Sequence, residues 1–380
     1  MSSTERREAR YQRRKAGRAE RVQLRSDALG GLPTIFSYHN LFYCGTQCCN
    51  GVRWKQSTQR FECHLFSGTA RRRKQILSGK WKFGKYVHFM LSERGKTRPI
   101  DAPHIADRQI HKALCRYALE PVFTPSMIYD NGASQRGKGL SFSIRRLKEQ
   151  LVWFYRRHGR EGYIWLGDFH QFFPSAEHSH IYARHEKLLK DEAVRRMADS
   201  VVATVAGGVG MPLGVEPSQL EMVSLPSPID NWMKCQMRLH SAGHYMDDYT
   251  AVLKTRKEAE EFEAEFIARS EAQGLSINRA KCHIIPLDKS FKFCKAKFTL
   301  TATGQVKING NSANMRRARK KLNSFKEKVD SGKMSMADVE AFMQSQTAYF
   351  GGYNDHGRVL RLRRVYHAIY GGGTKCIKLQ

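Results

Sequence analysis

Apolar residues recur along the chain at spacings that predict its secondary structure. Residues three or four positions apart, such as Ile110, Leu114 and Ala118, mark one face of a helix, whereas β-branched and aromatic runs mark strands. Helices are therefore predicted at 105–123, 142–155, 218–232 with a break at Pro226 and Pro228, 256–273, 315–329, 335–349 and 359–370. Strands are predicted at 86–90, in the run ending at Asp168, on both sides of Asp247, and around Phe291, Phe293 and Phe298.

These elements indicate a mixed α+β body with a helical C-terminal domain. Gly274 follows the predicted helix 256–273 directly, as expected for a C-terminal stop, and an extended segment begins at Leu275. The sequence contains no internal repeats. With 380 residues, the chain is long enough for two or three packed units.

Charge narrows the choice of partner. The formal net charge of +30, from 65 Lys and Arg against 35 Asp and Glu, exceeds what solubility needs and favours a polyanion. An anionic membrane surface is the competitor of nucleic acid, but the sequence has no run of about 18 apolar residues, and the cations are spread along its whole length. The sequence therefore predicts a soluble, cytoplasmic protein that binds nucleic acid and no membrane.

Cysteine usage leaves a zinc site open. Nine cysteines and no apolar leader favour reduced thiols in a cytosolic protein. Cys44, Cys48, Cys49 and Cys63 lie close together in sequence, but their spacing is poor for a zinc knuckle. Buried or incidental thiols are the preferred interpretation.

The first 26 residues carry many arginines and almost no apolar side chains. Such a segment forms no core alone, so it is a disordered basic arm, a helix ordered by phosphates, or a solvated tail. Residues from about 35 to 80 then supply a small aromatic core and the basic run Arg71–Lys74. Residues 1–80 are predicted to form a basic, RNA-binding extension.

Three carboxylates follow or interrupt β-prone runs. Asp168 ends the run Tyr-Ile-Trp-Leu-Gly-Asp, and Asp247 and Asp248 lie in Tyr-Met-Asp-Asp. If these strands are adjacent, Asp168 and Asp247 can bridge two Mg²⁺ ions, with the carbonyl of Phe169 as a further ligand and Asp248 as a flanking carboxylate; Mn²⁺ is a possible substitute. Paired metals activate a 3′-hydroxyl and neutralise a triphosphate, which is the chemistry of nucleotidyl transfer.

Basic glycine-containing turns accompany the acids. Lys96 and Arg98 flank a turn between two predicted strands, where their cations can meet a triphosphate. Arg136 and Lys138 lie in a loop with three glycines that suits a close approach by a backbone phosphate. Each turn alone is equally compatible with a charged solvent loop.

The motifs, taken in order, resemble those of reverse transcriptases. Tyr245–Asp248 resembles the catalytic box, the segment from Asp168 to Phe173 resembles the first catalytic motif, and the run containing Gly210, Pro212, Gly214, Ser218 and Gln219 resembles a template and nucleotide contact motif. Further resemblances lie in the fingers motifs at 98–108 and 133–139, the lysine motif ending at Lys281, and a primer grip around Phe293. The resemblance covers roughly residues 80 to 370.

The resemblance implies a right-hand polymerase with an antiparallel palm sheet, fingers at 81–160, palm at 161–303 and a helical thumb at 304–380. It implies that Phe173 excludes a 2′-hydroxyl, so that dNTPs are preferred, and that Lys96 and Arg98 contact the triphosphate. Lys281 would protonate pyrophosphate or remain a surface charge, and Gln219 would position template and nucleotide. Thumb cations would follow a duplex backbone: Arg316, Arg319 and Lys320, with Arg317 and Lys321 beside them.

Within this family the pattern looks most like stand-alone bacterial or prophage enzymes, related to those of diversity-generating retroelements and group II introns. Some of these act in antiphage defence and copy a dedicated noncoding RNA into cDNA. The segment Val215–Pro217 departs from the usual loop of the diversity-generating enzymes, and no maturase or endonuclease motif follows the predicted thumb.

Two rival interpretations remain at this stage. One is a diversity-generating enzyme, which would need an accessory protein and a template repeat. The other is a noncatalytic RNA-binding relic of a polymerase, which should tolerate loss of the metal ligands, although all three acids are present. The sequence does not determine which RNA is copied, how synthesis is primed, what becomes of the cDNA, or which oligomeric state the protein has.

Overall fold

The computed structural model describes residues 2–93, 96–353 and 355–371. Within these residues, the segments with helical spacing form helices. The helices are α1 Ser3–Asp27, α2 Gly31–Ile35, α3 Tyr38–Cys49, α4 Gln56–Cys63, α5 Leu65–Leu77, α6 Ile105–Leu114, α7 Glu120–Phe123, α8 Leu140–His158, α9 His178–Leu188, α10 Glu192–Val202, α11 Glu216–Ser224, α12 Ser227–Asn231, α13 Arg256–Glu271, α14 Ser312–Asp330, α15 Met336–Gly351 and α16 His356–Tyr370. Short π-helical segments, Cys115–Leu119 and Trp232–Gln236, continue α6 and α12.

All strand pairs with a described register are antiparallel. The strands are β1 Val87–Glu93, β2 Lys96–Ala102, β3 Tyr163–Asp168, β4 Ala242–Tyr245, β5 Asp248–Leu253, β6 His283–Pro286, β7 Phe291–Phe293, β8 Ala296–Leu300 and β9 Val306–Asn309. They form a hairpin β1-β2, a four-stranded sheet in the order β4-β5-β3-β6, and a three-stranded sheet β7-β8-β9. In β4-β5, Tyr245 pairs with Asp248, and in β3-β6, Tyr163 pairs with Pro286.

The chain divides into two units. The first comprises Met1–Ser143, Gly167–Ala251 and Glu260–Cys282, and the second comprises Ile144–Leu166, Val252–Ala259 and His283–Gln380. Strands β3 and β5 contribute residues to both units. The core of the first unit gathers apolar side chains from the N-terminal helices and from α6, α7, α10 and α11. A separate core joins α14, α15 and α16 around Leu322, Phe350 and Leu362.

The basic N-terminal segment is a helix. Ser2 and Glu5 form a capping box that satisfies the first backbone N–H groups of α1. At its other end the buried Ser26 hydroxyl accepts hydrogen bonds from the backbone N–H groups of Lys190 (2.8 Å) and Asp191 (3.3 Å). Of the predicted alternatives the structure therefore has a helix, fastened at its C-terminal end.

The clustered cysteines of the N-terminal region are mostly core residues. Cys44, Cys48 and Cys49 are buried on α3, whereas Cys63 is exposed. Burial raises the pKa of Cys44 to about 12 and that of Cys48 to about 11. Cys44, Cys48 and Cys49 therefore take part in core packing, as the interpretation of buried thiols expects.

Within the described part of the chain, no helix combines the length and the apolar character that crossing a membrane requires.

The predicted helices are confirmed, with small shifts at their ends. The segment 105–123 is continuous but contains the π-helical segment, and the helix predicted from 218 begins at Glu216.

Candidate active site

The β4-β5 hairpin holds Asp247 in a two-residue turn. Because Tyr245 pairs with Asp248, Met246 and Asp247 occupy the two central positions of the turn. Met246 has φ +55°, a left-handed conformation that costs a residue with a Cβ about 1–2 kcal/mol. Met246 and Tyr245 pack against the core of the first unit, which holds the strained turn in place.

Asp168 is brought to this turn by the backbone. It ends β3, and the N–H of the next residue, Phe169, donates to the carbonyl of Asp247 at 3.3 Å. The Phe169 ring is buried against Phe172, with 5.2 Å between ring centroids, and against Tyr249. The ring of Phe169 is thus a core group, and only its backbone is available for the predicted role as a metal ligand.

The electrostatics of Asp247 show that charged groups converge on it. Burial raises the pKa of Asp247, its own backbone N–H lowers it, and the charge of Asp168 raises it again. Lys281 and Arg98 both act in the opposite direction. The net result is a raised pKa of Asp247, and Asp168, Lys281 and Arg98 are the charged groups that act on it.

Lys281 is held directly on Asp168. Its Nζ lies 2.6 Å from Asp168 Oδ1, and Asn278 Nδ2 lies 3.4 Å from the same oxygen. The N–H of Asn278 donates to the Asp168 carbonyl at 2.8 Å, so the segment before Lys281 is fastened to the end of β3. An ammonium group thus supplies the positive charge that two neighbouring carboxylates require.

The donor set fits a divalent cation. Asp168 and Asp247 offer carboxylate oxygens, and among the described residues no backbone N–H donates to the carbonyl of Phe169. No group of three or more His, Cys, Asp and Glu residues, however, is arranged around a possible metal position in the part of the chain described. The metal-binding role of Asp168, Asp247 and Asp248 therefore stays a prediction.

Asp248 lies beside the pair at the start of β5. Successive side chains of a strand point to opposite faces, and the next residue, Tyr249, is buried in the core. Asp248 is half-buried on the other face. Its predicted role as a flanking carboxylate stays a prediction.

A buried polar network supports the turn from beneath, and the sequence did not reveal it. His244 Nδ1 lies 3.1 Å from the Met246 carbonyl, and His244 Nε2 lies 3.0 Å from Asp230 Oδ2. The Tyr249 hydroxyl donates to Asp230 Oδ1 at 3.0 Å, and its ring stacks on His244 at 4.3 Å. Only the position of His244 just before the motif signals this role, because Asp230 comes from the distant helix α12.

Backbone hydrogen bonds join the predicted nucleotide-binding motifs to one another. The N–H of Met211 donates to the Phe173 carbonyl at 2.9 Å, and the N–H of Asp101 donates to the Leu213 carbonyl at 2.7 Å. The loop 210–214 thus connects the Phe173 turn to β2, the strand that carries Arg98. Phe173 is half-buried, with an edge contact to Phe172 at 5.8 Å.

Glycine is required in this loop. Gly214 has φ +107°, and a Cβ there would lie 3.0 Å from the Asp101 carbonyl oxygen. Gly210 has φ +98° and faces Pro174. Pro212 is buried between them. The loop residues therefore serve to dock two predicted motifs together, and a role in template contact stays a prediction.

Gln219 and Ser218 differ in their access to solvent. Gln219 is exposed on α11 and lines two clefts of about 340 and 310 Å³ that also include Glu216. Ser218 is fully buried, so its hydroxyl does not reach a template in this conformation. Position 219 is thus the one of the two that is placed to touch a ligand.

The predicted phosphate loop uses its cations internally. Arg136 forms an ion pair with Glu120 at 3.0 Å, and Lys138 Nζ donates to the carbonyls of Tyr129 (2.8 Å) and Asn131 (3.0 Å). Burial lowers the pKa of Lys138. In this conformation Lys138 fastens its own loop, and its predicted contact with a template phosphate stays a prediction.

Arg98 and Lys96 both lie on the β1-β2 hairpin, but only the side chain of Arg98 is described. Arg98 is exposed and pairs with Leu91 in the register. The side chain of Lys96, like residues 94 and 95 of the turn, lies outside the described part of the structure. The triphosphate role of Arg98 and Lys96 remains a prediction.

The predicted primer and duplex contacts belong to the second unit. Phe293 is buried in β7, and the turn after it places Cys294 (φ +49°) and Lys295 (φ +64°) in left-handed conformations. On α14 the predicted cations are exposed, whereas Met315, Ala318 and Leu322 are buried. The exposed cations are Arg316, Arg319 and Lys320.

Helix α11, which carries Gln219, is anchored by a buried charge cluster. His185 Nδ1 lies 2.7 Å from Asp199 Oδ1, and its Nε2 lies 3.2 Å from Glu221 Oε1, an ion-pair distance without the geometry of a directed hydrogen bond. Burial lowers the pKa of His185, but the interactions with Asp199 and Glu221 outweigh it and raise that pKa to about 9. His185 is therefore charged at neutral pH.

This cluster predicts a loss of stability at alkaline pH. A His whose pKa rises from 6.5 to about 9 on folding stabilises the protein fully below about pH 6.5 and loses that contribution as pH rises through about 9. The loss amounts to about 3 kcal/mol. Urea midpoints measured between pH 6.5 and 9.5 should fall accordingly, and His185→Gln should flatten this dependence.

The matched control is the exposed His39, whose change to Gln should leave the slope as in the wild type. If wild type and His185→Gln lose stability in parallel over this range, the charged His185 cluster is refuted.

Comparison with known proteins agrees with the site. Residues 85–299 match the family model described as reverse transcriptase (RNA-dependent DNA polymerase). The matched segment contains Asp168, Asp247 and Lys281 and spans more than half of the chain. The chain therefore belongs to the reverse transcriptase family and has its polymerase fold, a mixture of helices and antiparallel sheets.

Among solved structures, the chain is similar to telomerase from Candida albicans in complex with a TWJ fragment of telomeric RNA. The identity is 11% and the TM-score 0.47, and the match covers 81% of this chain and 66% of that one. The comparison with curated proteins finds no match.

Proposed function

We propose that this protein is an RNA-directed DNA polymerase that copies a structured noncoding RNA into cDNA from dNTPs. The observation that carries the proposal is the convergence of Asp168, Asp247 and Lys281 at one position, within the segment that matches the family. The family match supports template-directed nucleotidyl transfer. The noncoding template rests on the resemblance of the motifs to stand-alone bacterial enzymes.

Asp168 and Asp247, with the carbonyl of Phe169, would hold the divalent cations, Mg²⁺ or in its place Mn²⁺. When bound, such ions stabilise the charge of the triphosphate and of the attacking oxygen. The protein positions the two carboxylates by the hydrogen bond from Phe169 to Asp247 and by the His244 network beneath the turn. Lys281 is placed to release Asp168 and to donate its proton to the leaving pyrophosphate.

Regions of the chain are assigned accordingly. We propose fingers at 81–160, palm at 161–303 and thumb at 304–380, with the N-terminal 80 residues as the RNA-binding extension. The thumb assignment is supported by the exposed arginines and lysines of α14, because exposed cations along one helix can contact the phosphates of a duplex. Arg98 on β2 would meet the incoming triphosphate.

The polymerase proposal is tested by primer extension. The purified chain, given an RNA template with an annealed DNA primer, dNTPs and Mg²⁺, should extend the primer, and should fail to do so in EDTA. Sequencing of the copurified RNA and cDNA should return one enriched template. RNA binding without any extension on several primer types would favour the noncatalytic relic instead.

A specific expectation concerns sugar selection by Phe173. Its ring stands at the turn joined to the loop 210–214, and the family resemblance gives it the role of excluding a 2′-hydroxyl. Phe173→Ala should raise the efficiency of rNTP incorporation relative to dNTP by about 10- to 200-fold, which is the discrimination that shape alone supplies. The measurement is the ratio of kcat/KM values for a matched dNTP and rNTP.

The control is Phe172→Leu, because Phe172 is buried beside Phe173 and faces the core. It should lower stability and leave the ratio unchanged. An unchanged ratio in Phe173→Ala would remove Phe173 from sugar selection.

We further propose that synthesis serves antiphage defence in the cytoplasm of a bacterial host. The support is the resemblance of the ordered motifs to defence-associated enzymes. A bacterial strain carrying the gene and its flanking DNA should reduce phage plaque counts, and the Asp247→Asn variant should not. Equal protection by both strains would show that defence does not depend on polymerase activity.

A further inference from the structure

Two N-terminal helices expose aromatic rings that serve no core. On α3, Tyr38 and Phe42 are four residues apart and are 54% and 44% exposed. On α5, Phe66 is 80% exposed. An exposed large ring gives up the free energy of burial, about 1.5–3 kcal/mol for a side chain of this size, so three of them in one region indicate a surface that is covered in another state.

Packing places these rings on adjacent helices. Near one end of the pair, Tyr38 lies under Arg73, with 4.7 Å from the guanidinium carbon to the ring centroid. Near the other end, a Cβ on Gly45 would lie 2.4 Å from Leu65 Cδ1. Residues later in α3 therefore contact residues earlier in α5, so the two helices are antiparallel.

This geometry defines one continuous surface. Phe66, Ala70, Arg73 and Leu77 follow helical spacing along a single face of α5, and Leu77 is 39% exposed. On antiparallel neighbours, Phe42 falls one turn from Tyr38 in the direction of Phe66. The aromatic and basic surface formed by these parts of the two helices is called the α3-α5 face.

The charge of the α3-α5 face has one sign. Neither helix contains an Asp or Glu residue. Arg71 and Lys74 are exposed beside Arg73, and within the described residues none of the three forms an ion pair. A cleft of about 660 Å³ lies among Tyr38, these three cations and Leu77.

The neighbouring Arg72 shows that exposure is selective. It is buried, with its guanidinium carbon 5.0 Å from the centroid of Phe61. The helix therefore turns Arg72 inward, leaves Arg71 and Lys74 exposed, and holds Arg73 half-buried over the Tyr38 ring.

We propose that the α3-α5 face binds a single-stranded segment of RNA, with bases stacked on Tyr38, Phe42 and Phe66 and phosphates on Arg71, Arg73 and Lys74. Exposed rings can stack only on unpaired bases, whereas a duplex would offer its phosphates and leave the rings idle. This inference rests on the proposed function for the identity of the strand as RNA, and it adds which surface holds the RNA and in which form.

The test is binding of labelled oligoribonucleotides to the full chain, measured by fluorescence anisotropy at fixed salt. The probes are an unstructured single strand and a blunt duplex of equal length. Phe66→Leu keeps an apolar side chain but removes the π-face, so single-strand affinity should fall about 5-fold or more while duplex affinity stays unchanged. Phe66→Tyr, which keeps the ring, should bind as the wild type does.

Loss of one of the cations should change the salt dependence of RNA binding. Arg73→Gln should reduce the slope of log K against log salt by about 0.7 for the single strand, because one phosphate contact is lost. Phe66→Leu should lower affinity without changing that slope. The two variants together separate stacking from charge.

Equal losses for single strand and duplex in Phe66→Leu, or no loss in either, would overturn the proposal. The second outcome would leave the face to a protein partner, which analytical ultracentrifugation of wild type and Phe66→Leu would detect as a changed mass if that partner is a second copy. Because the assay uses no dNTPs, its result is independent of polymerisation. Extension of a preannealed primer by the wild type tests the proposed function separately.

Discussion

Replacing Asp247 with Asn should lower the rate of RNA-templated primer extension by about a thousandfold or more. Bound metal ions stabilise the transition state of such a reaction by several kcal/mol, and each 1.36 kcal/mol is a factor of ten in rate. Asn matches the size of Asp and keeps the two-residue turn, so the loss reports the missing charge. The measurement is single-turnover extension at saturating dNTP.

The variant should bind RNA as tightly as the wild type, because the change removes no cation that could contact a phosphate. The matched control is Asp330→Asn, an exposed carboxylate at the end of α14 whose change should leave the rate unaltered. Extension by Asp247→Asn at more than about a tenth of the wild-type rate would contradict the assignment of this carboxylate to metal binding.

Replacing Lys281 with Gln should slow nucleotide incorporation by about a hundredfold or more, the range of a positioned general acid. The ammonium lies 2.6 Å from Asp168 Oδ1, so the change removes both a proton donor and a neutralising charge. Lys281→Arg separates these two effects. A guanidinium keeps the charge beside Asp168, but it does not release a proton in this pH range.

Lys281→Arg should therefore have the urea midpoint of the wild type but a rate close to that of Lys281→Gln. Lys289→Gln is the control, because Lys289 is an exposed lysine outside the site. Full activity of Lys281→Arg would show that Lys281 contributes charge alone, and wild-type activity of Lys281→Gln would remove it from the reaction.

Local patterns predicted most helices of this protein. In α13, Phe262 and Phe266 lie four apart and are both buried, and Gly274 has the left-handed φ of +67° expected of a residue that ends a helix. The backbone at the end of β3 also lies beside the Asp247 turn, because the N–H of Phe169 donates to the Asp247 carbonyl. Periodicity and motif order carry this information within a few neighbouring residues.

Other parts of the fold escaped prediction. Helices α2 and α4 are short, and the buried faces of α3 and α5 include Gly45, Gly68 and Arg72, so no regular apolar period defines these helices. Helices α9 and α10 were not predicted, although α10 buries Val194, Ala198 and Val201 at helical spacing.

The supporting groups of the site were hidden for a different reason. Asp230 contacts His244 and Tyr249 across separate elements, and no local pattern marks a buried carboxylate. Lys138 was predicted to meet phosphate because sequence shows a cation beside glycines, whereas the fold directs its ammonium onto two carbonyls of its own loop. Side-chain direction, unlike residue type, is decided by tertiary packing.

The central claim is that Asp168 and Asp247 together bind divalent metal. Mn²⁺ binding to the full chain, followed by electron paramagnetic resonance, tests it without any substrate. The wild type should remove Mn²⁺ from the free-ion signal, and Asp168→Asn and Asp247→Asn should each weaken this binding at least tenfold, whereas Asp330→Asn should not. Binding of equal strength in wild type and both site variants would contradict the claim.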